Sequence, residues 1–383
     1  MNTFITATGI YLPGAPVTNE ELDDYMIGID RVAARTRRII LKNNGIDTRY
    51  YALEKGSGRL THTNAELTAE AVRKACDSAG LSLDGIECLS CGSSSPDQLM
   101  PGHGSMVQAE LAASSCEINS SSGICLSGIM SMKYGAMSVA AGLSHNAVVT
   151  GSELASSFLR PSYFKNEVDS AEDAPKKRHP AFAFEAEFLR WMLSDGAGAM
   201  VLENKPRDNG LSLKVEWIEI ISQAHRMETC MYAGSIKNDD GSITGWRALN
   251  TLDDAESRGA FPVKQDAKLL NDNVIRTLVR ESLPELIEKY NLRPDEIDWF
   301  LPHYSSDYFR KPVYDHLAGI DFAIDYSRWF TNLSTRGNTG SASFYIMLDE
   351  LFNSGRLKKG DRILCFIPES GRFAVGYVLL EAV

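Results

Sequence analysis

The sequence contains no run of roughly eighteen or more apolar residues, which excludes an ordinary membrane-spanning helix. Residues 1–20 lack the basic start and long apolar stretch of a secretory leader, so we expect a cytoplasmic protein. The 39 basic and 50 acidic side chains give a net charge of −11, which argues against nucleic acid as the main partner. An acidic total still allows docking of a partner on a local basic patch.

Cysteines are few: seven in 383 residues do not form the pattern of a disulfide framework. Cys88 and Cys91 make a CxxC pair, but the segment IECLSCG predicts a strand, in which residues three apart point to opposite faces. We therefore expect no shared metal or redox pair there. The histidines other than His303 show no ligand spacing, and the glycines of GAGAMVL precede a strand, so neither a metal nor a nucleotide site is predicted.

Short apolar strands alternate with helical stretches along the chain, which indicates layered α/β architecture. Residues 61–81 predict an amphipathic helix with Asn64 as its N-cap and Gly80 as its stop. Residues 124–143 are apolar almost all round and rich in small side chains, which predicts a helix buried in the middle of the protein.

The order of strand, glycine-rich turn and strand occurs twice, as AVVTGSE…DGAGAMVL and as RILCFIPESGRFAVGYVLL. This recurrence favours a weak internal duplication over two unrelated domains. We place the two halves at residues 1–205 and 206–383.

Cys125 follows the strand-like segment EINSSS and opens the predicted buried helix. A helix N-terminus offers unpaired N–H groups and partial positive charge, which favour a thiolate and a low cysteine pKa. An inert structural cysteine is the alternative. His303 follows an apolar strand in DWFLPHYSS, and Asn338 lies in the glycine-flanked turn of RGNTGSAS. Each has a structural explanation alone, but three such residues at strand–helix junctions of matching halves predict a Cys–His–Asn catalytic set.

These segments resemble the β-ketoacyl-ACP synthase III group of the thiolase superfamily. The matching signatures are SSGICLSG, WFLPHYSS, GNTGSAS, SDGAGAMVL and the GIDTRY segment around Arg49, in the same order and over essentially the whole chain. The resemblance implies the five-layered αβαβα thiolase fold and a homodimer. It also implies carbon–carbon bond formation between acyl thioesters carried by acyl carrier protein or CoA, without a permanently bound cofactor.

The same resemblance implies a role for each catalytic residue. Cys125 takes an acyl group from a thioester and divides a difficult condensation into two steps. The backbone N–H groups of Cys125 and Gly371 form the oxyanion hole, where one donor contributes about 3–4 kcal/mol at the transition state. His303 and Asn338 bind the carbonyl of the second substrate and stabilise its enolate.

Three segments depart from ordinary synthase III enzymes. The C-terminal turn is PESGRF in place of a run of glycines, which puts Glu369 and Arg372 beside the oxyanion glycine as candidate substrate-binding residues. The cysteine turn CLSG has one extra residue before its glycine, and the segment from RTRRIILKNN onward is a further marker. Together they resemble the ketosynthase-cyclases that form dialkylresorcinols and stilbenes. That branch joins an acyl chain to a β-ketoacyl chain and closes a cyclohexane-1,3-dione, on which an aromatase-type partner then acts.

Ring closure requires a base for the acidic α-proton of a β-ketoacyl chain, and a desolvated carboxylate can serve. Glu153, after the strand that follows the buried helix, is the first candidate and Glu369 the second. A solvated or salt-bridged carboxylate is the alternative for both.

Two further segments carry candidate contacts. The resemblance implies that Met100, in SSPDQLMPGHGS, reaches across the dimer into the partner's acyl pocket, although it also fits an ordinary interface core. The basic segment that contains Arg35, Arg37 and Arg38 is a candidate carrier-docking surface, and PKKRHP is a weaker one. A solvated charged face is the simpler explanation for both.

Three functions therefore compete: a resorcinol-branch cyclase, a synthase III that starts fatty-acid chains from malonyl-carrier, and a non-condensing acyltransferase or inactive subunit. A pyrone-forming sister branch closely resembles the first. The complete Cys–His–Asn set argues against an inactive subunit, and PESGRF argues against chain initiation. The sequence does not indicate which acyl chains are accepted.

Overall fold

The structure, a computed structural model, describes residues 2–26, 34–160 and 189–383. Over these residues the strands are β1 (Phe4–Tyr11), β2 (Val17–Thr18), β3 (Thr48–Arg49), β4 (Cys88–Ser93), β5 (Glu117–Ser122), β6 (Asn146–Glu153), β7 (Gly196–Glu203), β8 (Leu213–Ser222), β9 (Met231–Tyr232), β10 (Ser235–Lys237), β11 (Ile243–Gly245), β12 (Lys264–Gln265), β13 (Trp299–Pro302), β14 (Arg362–Glu369) and β15 (Ala374–Ala382).

The α-helices over the same ranges are α1 (Leu22–Tyr25), α2 (Ala34–Asn44), α3 (Asn64–Ala79), α4 (His103–Leu111), α5 (Ser127–Ala140), α6 (Leu252–Ser257), α7 (Ala267–Ile275), α8 (Leu283–Tyr290), α9 (Arg310–Ala318), α10 (Leu333–Arg336) and α11 (Ser343–Phe352). None of these is both long enough and apolar enough to cross a lipid bilayer.

Nine strands form one continuous sheet in the order β13-β14-β15-β8-β1-β7-β6-β4-β5. In the N-terminal half β4 and β6 are parallel, whereas β6–β7 and β7–β1 are antiparallel. The C-terminal half repeats this pattern, with β13 and β14 parallel and β14–β15 and β15–β8 antiparallel. The counterpart of β5 is reduced to one parallel bridge between Phe300 and Trp329. The two halves join where β1 pairs with β8.

Three clusters of buried apolar side chains separate the layers. One lies between α3 and α4 and one face of β4, β6 and β7. The central cluster joins α5 and α11 to strands of both halves. The third joins α7, α8 and α9 to the opposite face of β13, β14 and β15. The order is therefore helix, sheet, helix, sheet, helix, which confirms the predicted αβαβα class and its duplicated halves. The proposed boundary at residues 205 and 206 falls between β7 and β8 and stays a prediction.

Most predicted elements occur, with local differences. The helix over residues 61–81 forms as α3 and ends at Gly80, which has a φ of 68°. The prediction of Asn64 as its N-cap is wrong: the Thr63 side chain caps the helix in a capping box with Glu66. The Asn64 amide instead donates to the side chain of Ser93 at 2.8 Å, because it lies inside the first turn and faces the end of β4.

The buried helix also begins later than expected, at Ser127, so Cys125 lies in the turn that precedes it. The CxxC pair falls on β4 as predicted, and its two free thiols lie on opposite faces of the sheet. Cys88 belongs to the central cluster, whereas Cys91 belongs to the outer cluster of the first half.

The two halves approach closely at Gly151 of β6. A Cβ atom at this position would lie 2.3 Å from the carbonyl oxygen of Ser341 and 2.8 Å from the ring of Tyr345. Only hydrogen fits there, and this contact sets the turn that follows Asn338 against the end of β6. A backbone oxygen cannot rotate away, so a side chain would force the halves apart.

We expect Gly151→Ala to lower the free energy of unfolding by about 2–3 kcal/mol or more, because the added methyl group overpacks the joint. Gly245→Ala is the matched control, since a Cβ atom there meets nothing within 4 Å and its φ is −67°. Urea unfolding of both variants measures the difference. Equal stabilities would contradict the assigned role of this contact.

Candidate active site

Cys125, His303, Asn338 and Glu153 line one cavity of about 360 Å³. Most other side chains around it are apolar, and they come from both halves of the chain: Ile124, Ala155, Phe158, Leu189, Met192, Leu193, Met231, Val263, Leu270, Val274, Ile275 and Phe309. The four residues lie up to 213 positions apart in sequence (338 − 125) and meet because each follows a strand or precedes a helix at the same edge of the sheet.

Cys125 lies in the turn between β5 and α5, and this turn is bound by Glu369. The Glu369 carboxylate accepts hydrogen bonds from the backbone N–H groups of Ile124 at 2.9 Å and of Leu126 at 3.1 Å. Burial, followed by the charges of Glu369 and Glu153, raises the pKa of the Cys125 thiol well above its ordinary value. The predicted low cysteine pKa is therefore wrong, because a carboxylate occupies the N–H groups that would have stabilised a thiolate.

A thiol with a raised pKa needs a proton acceptor, and His303 lines the same cavity. Its backbone N–H donates to the carbonyl of Phe366 at 2.8 Å, which extends the pairing of β13 and β14 by one residue. Burial lowers the pKa of His303 to about 4, so the ring is neutral at pH 7. A neutral imidazole can accept a proton at one nitrogen and donate a hydrogen bond from the other.

Asn338 is held by its backbone, which donates to the carbonyl of Met192 at 2.9 Å and accepts from the N–H of Ser194 at 2.8 Å. Its side-chain oxygen accepts from the N–H of Gly340 at 3.0 Å. This bond fixes the orientation of the amide, and the amide nitrogen is the end that remains for a ligand. Asn338 is thus arranged as a hydrogen-bond donor to a carbonyl oxygen.

Glu153 ends β6 and is 3% exposed. It accepts hydrogen bonds from the hydroxyls of Ser94 at 2.6 Å and Ser95 at 2.5 Å, and from the N–H of Ser341 at 3.2 Å. Burial raises the pKa of Glu153, and these hydrogen bonds oppose the increase. No ion pair to Glu153 forms within the described ranges, so it is neither solvated nor salt-bridged there. A buried carboxylate of this kind can act as a general base.

The structure does not bring every predicted contact to the cavity. Gly371 is buried, and a Cβ atom there would lie 3.0 Å from Ile124, so the glycine packs against the cysteine turn without lining the cavity. Arg372 is exposed and its Nε donates to the carbonyl of Met227 at 2.9 Å, so it makes no contact with the cavity. Glu369 does not line the cavity either, because its carboxylate is engaged by the cysteine turn.

The remaining candidates lie on the surface. Met100 is 79% exposed and outside the cavity of its own chain, so its predicted reach into a partner subunit stays a prediction. Arg35 and Arg38 are exposed on α2, whereas Arg37 forms a salt bridge with Asp23 at 2.9 Å. The segment PKKRHP and the start of the basic segment lie outside the described residues.

Sequence reasoning missed several polar residues that line the cavity, among them Gln265 and Ser370. Ser370 stood between two predicted residues in PESGRF and could have been included on that ground. Gln265 belongs to the short strand β12, and nothing in its local sequence distinguishes it from a surface glutamine.

Residues 287–378 match the family described as 3-Oxoacyl-[acyl-carrier-protein (ACP)] synthase III C terminal. The chain is 26% identical over 370 residues to a β-ketoacyl-[acyl-carrier-protein] synthase III of Clostridium perfringens, which covers 95% of this chain and 94% of that protein. It is 25% identical to the enzyme of the same name from Neisseria meningitidis over 98% of both chains.

Solved structures agree on the fold. The tetronic acid condensing enzyme AbyA1 matches with a TM-score of 0.74 and 20% identity over 99% of both chains. The synthase III of Aquifex aeolicus matches with a TM-score of 0.70 and 22% identity over 99% of both chains. Xanthomonas campestris OleA matches with a TM-score of 0.73 and 21% identity, over 100% of this chain and 98% of that chain. The solved structures show the fold, and the chain is similar over almost its whole length to β-ketoacyl-ACP synthase III enzymes. These similarities indicate a carbon–carbon bond-forming acyltransferase.

We expect Glu369→Gln to lower the pKa of Cys125, because the substitution removes a negative charge beside the thiol and retains an oxygen that accepts from Ile124 and Leu126. The rate of Cys125 alkylation by iodoacetamide at pH 7 should rise several-fold, and its pH profile should shift to lower pH. Glu285→Gln, an exposed carboxylate on α8, is the control. An unchanged profile in Glu369→Gln would contradict the electrostatic role of Glu369.

Proposed function

We propose that this synthase III-type condensing enzyme takes an acyl group on Cys125, joins it to a β-ketoacyl thioester and closes a cyclohexane-1,3-dione, a precursor of dialkylresorcinols or stilbenes. The observation that supports it most is the charge around Cys125. Two buried carboxylates, Glu153 and Glu369, lie close enough to Cys125 to raise the pKa of its thiol, and none of the described lining residues is lysine or arginine.

This charge distribution opposes a malonyl substrate. A malonyl group carries its own carboxylate, which would enter a site with negative groups and no described cation. Two unit charges about 5 Å apart repel by roughly 3 kcal/mol at an effective dielectric constant of about 20. A β-ketoacyl chain is neutral and is not repelled in this way. Its α-carbon lies between two carbonyl groups, so a carboxylate base can remove its proton without decarboxylation.

The first half-reaction uses Cys125 and His303. The neutral His303 ring accepts the proton of the thiol, and the thiolate attacks the carbonyl of an acyl thioester. The carbon–sulfur bond to the carrier breaks, and His303 returns the proton to the leaving thiol. The acyl group remains on Cys125 and extends among the apolar side chains of the cavity.

The second half-reaction uses His303, Asn338 and Glu153. The two donors hold the thioester carbonyl of the β-ketoacyl substrate while Glu153 removes the α-proton. The resulting enolate carbon adds to C3 of a 2,3-unsaturated acyl group on Cys125, and the new enolate takes the proton back from Glu153. Glu153 then removes a proton from C4 of the β-ketoacyl chain, and this second carbanion attacks the Cys125 thioester. The six-membered 1,3-dione closes with the carrier thioester still attached, and the departing Cys125 thiolate takes the proton from Glu153. His303 is neutral throughout this step, and the ring nitrogen that carries its proton donates the hydrogen bond.

The carrier and partners are also part of the proposal. The synthase III relatives act on acyl carrier protein by name, and we extend acyl carrier protein or CoA to this chain. The exposed Arg35 and Arg38 lie on α2, and Gly45, which follows this helix, packs against Asp307 in the turn that carries the cavity residue Phe309. A carrier that docks on α2 would therefore lie beside the cavity. An aromatase-type enzyme would act on the product.

A homodimer is the proposed assembly. β5 is the last strand of the sheet in the described chain, and Leu99 and Met100 are 65% and 79% exposed. An open strand edge and large exposed apolar side chains are typical of surfaces that pair with another chain.

Product analysis tests the proposal. The protein is incubated with a 2,3-unsaturated acyl-CoA together with either a β-ketoacyl thioester or a malonyl thioester, on CoA and on acyl carrier protein. We expect a cyclic dione from the β-ketoacyl substrate and no release of carbon dioxide, and no product from Cys125→Ala. A linear product with carbon dioxide, formed only from the malonyl substrate, would support chain initiation instead, and a pyrone would support the sister branch.

The variant Glu153→Gln separates the two half-reactions. It should retain acylation of Cys125, detected by intact-protein mass spectrometry, and lose dione formation by about two orders of magnitude or more, because the glutamine cannot accept a proton. Glu110→Gln, an exposed carboxylate on α4, is the control and should behave as the wild type. A normal yield of dione from Glu153→Gln would exclude Glu153 as the base.

A further inference from the structure

A second polar cluster lies in the cavity, apart from the four residues of the mechanism. It consists of Gln265 at the end of β12, Ser370 directly after β14 and Met231 at the start of β9, and all three line the cavity. The Gln265 amide nitrogen donates to the Ser370 hydroxyl oxygen at 2.8 Å. The Ser370 hydroxyl donates to the sulfur of Met231 at 3.6 Å.

The direction of these bonds fixes what Ser370 can offer to a ligand. Because Gln265 donates into the serine oxygen, the serine proton must point elsewhere. It points to a thioether sulfur, which is a weak acceptor. A carbonyl oxygen placed near Ser370 would be a stronger acceptor and would take this proton in place of the sulfur. The serine is thus a donor that lacks a strong partner within an otherwise apolar wall.

The cluster lies beside the nucleophile. Ser370 stands between Glu369, which binds the backbone on both sides of Cys125, and Gly371, where a Cβ atom would lie 3.0 Å from Ile124. The carbonyl of Gly371 accepts from the N–H of Cys230 at 2.8 Å, which ties the start of β9 to the same turn. Ser370 and Cys125 line the same cavity, so a substrate that reaches the nucleophile can also contact the Ser370 hydroxyl.

From this geometry we propose that the Ser370 hydroxyl donates to the 3-oxo oxygen of the β-ketoacyl substrate and that Gln265 positions this hydroxyl. The inference rests on the proposed function and names the feature that distinguishes its second substrate. A saturated acyl chain has no oxygen at that carbon, so it leaves the Ser370 proton on the sulfur. A site that hydrogen-bonds an oxygen discriminates against the analogue that lacks it.

Binding to Cys125→Ala protein tests the inference without turnover, so it stays separate from the test of the reaction. Isothermal titration calorimetry compares 3-oxooctanoyl-CoA with octanoyl-CoA, which differ only in the ketone. We expect the ketone to bind about 5–10-fold more tightly, the range for one added hydrogen bond in a buried site. The absence of this preference would overturn the inference.

Three further substitutions in the same background locate the preference. Ser370→Ala removes the donor and should abolish the preference while octanoyl-CoA binds as before, which also shows that the variant is folded. Gln265→Glu keeps the shape but replaces a donor by an acceptor, so it should draw the serine proton toward itself and abolish the preference too. Val263→Ala alters the apolar wall and should weaken both ligands to a similar extent, with the preference retained.

Two outcomes would overturn the assignment. If Ser370→Ala weakens both ligands equally, the hydroxyl binds a carbonyl that both share, such as an amide of the pantetheine arm. If Gln265→Glu keeps the full preference, Gln265 does not position the hydroxyl. Neither outcome bears on whether the enzyme forms the dione, because product analysis answers that question with unmodified Cys125.

Discussion

The Glu369 carboxylate accepts hydrogen bonds from the backbone on both sides of Cys125, and the catalytic arrangement depends on this contact. Glu369 ends β14 in the C-terminal half, whereas Cys125 belongs to the N-terminal half. The contact fixes the nucleophile relative to His303, which is bonded to β14 through Phe366. It also occupies the N–H groups that would have stabilised a thiolate. The same carboxylate therefore positions the cysteine and keeps it protonated.

The surroundings of the site are acidic throughout. Asp195, at the start of the SDGAGAMVL segment, is fully buried, and burial raises its pKa to about 7. It accepts from the N–H of Ala52 at 2.7 Å and of Ser156 at 2.8 Å, which fixes the turn that carries Phe158 in the cavity wall. Buried acids in water-poor surroundings hold protons more strongly than in solution.

The sequence allowed the fold class, the duplication and the positions of Cys125, His303 and Asn338 to be predicted, because strand ends and small-residue turns have local signals. The cysteine pKa could not be predicted, since it depends on a carboxylate 244 positions away (369 − 125). The pair of Gln265 and Ser370 was missed for the same reason: 105 positions separate its members. Hydrogen bonds of this kind are set by tertiary packing and leave no periodicity in either segment.

The duplicated halves differ at their outer strands, and the difference limits how copies of the chain can associate. In the described chain β5 is the last strand at one end of the sheet, and its outer edge is unpaired. The other end is covered, because the segment at Trp329 bridges Phe300, and the N–H of Phe330 donates to the Phe300 carbonyl at 2.9 Å. A sheet with two open edges could add copies into a filament. A sheet with one open edge can add a single further strand partner there, so association through that edge ends with a pair.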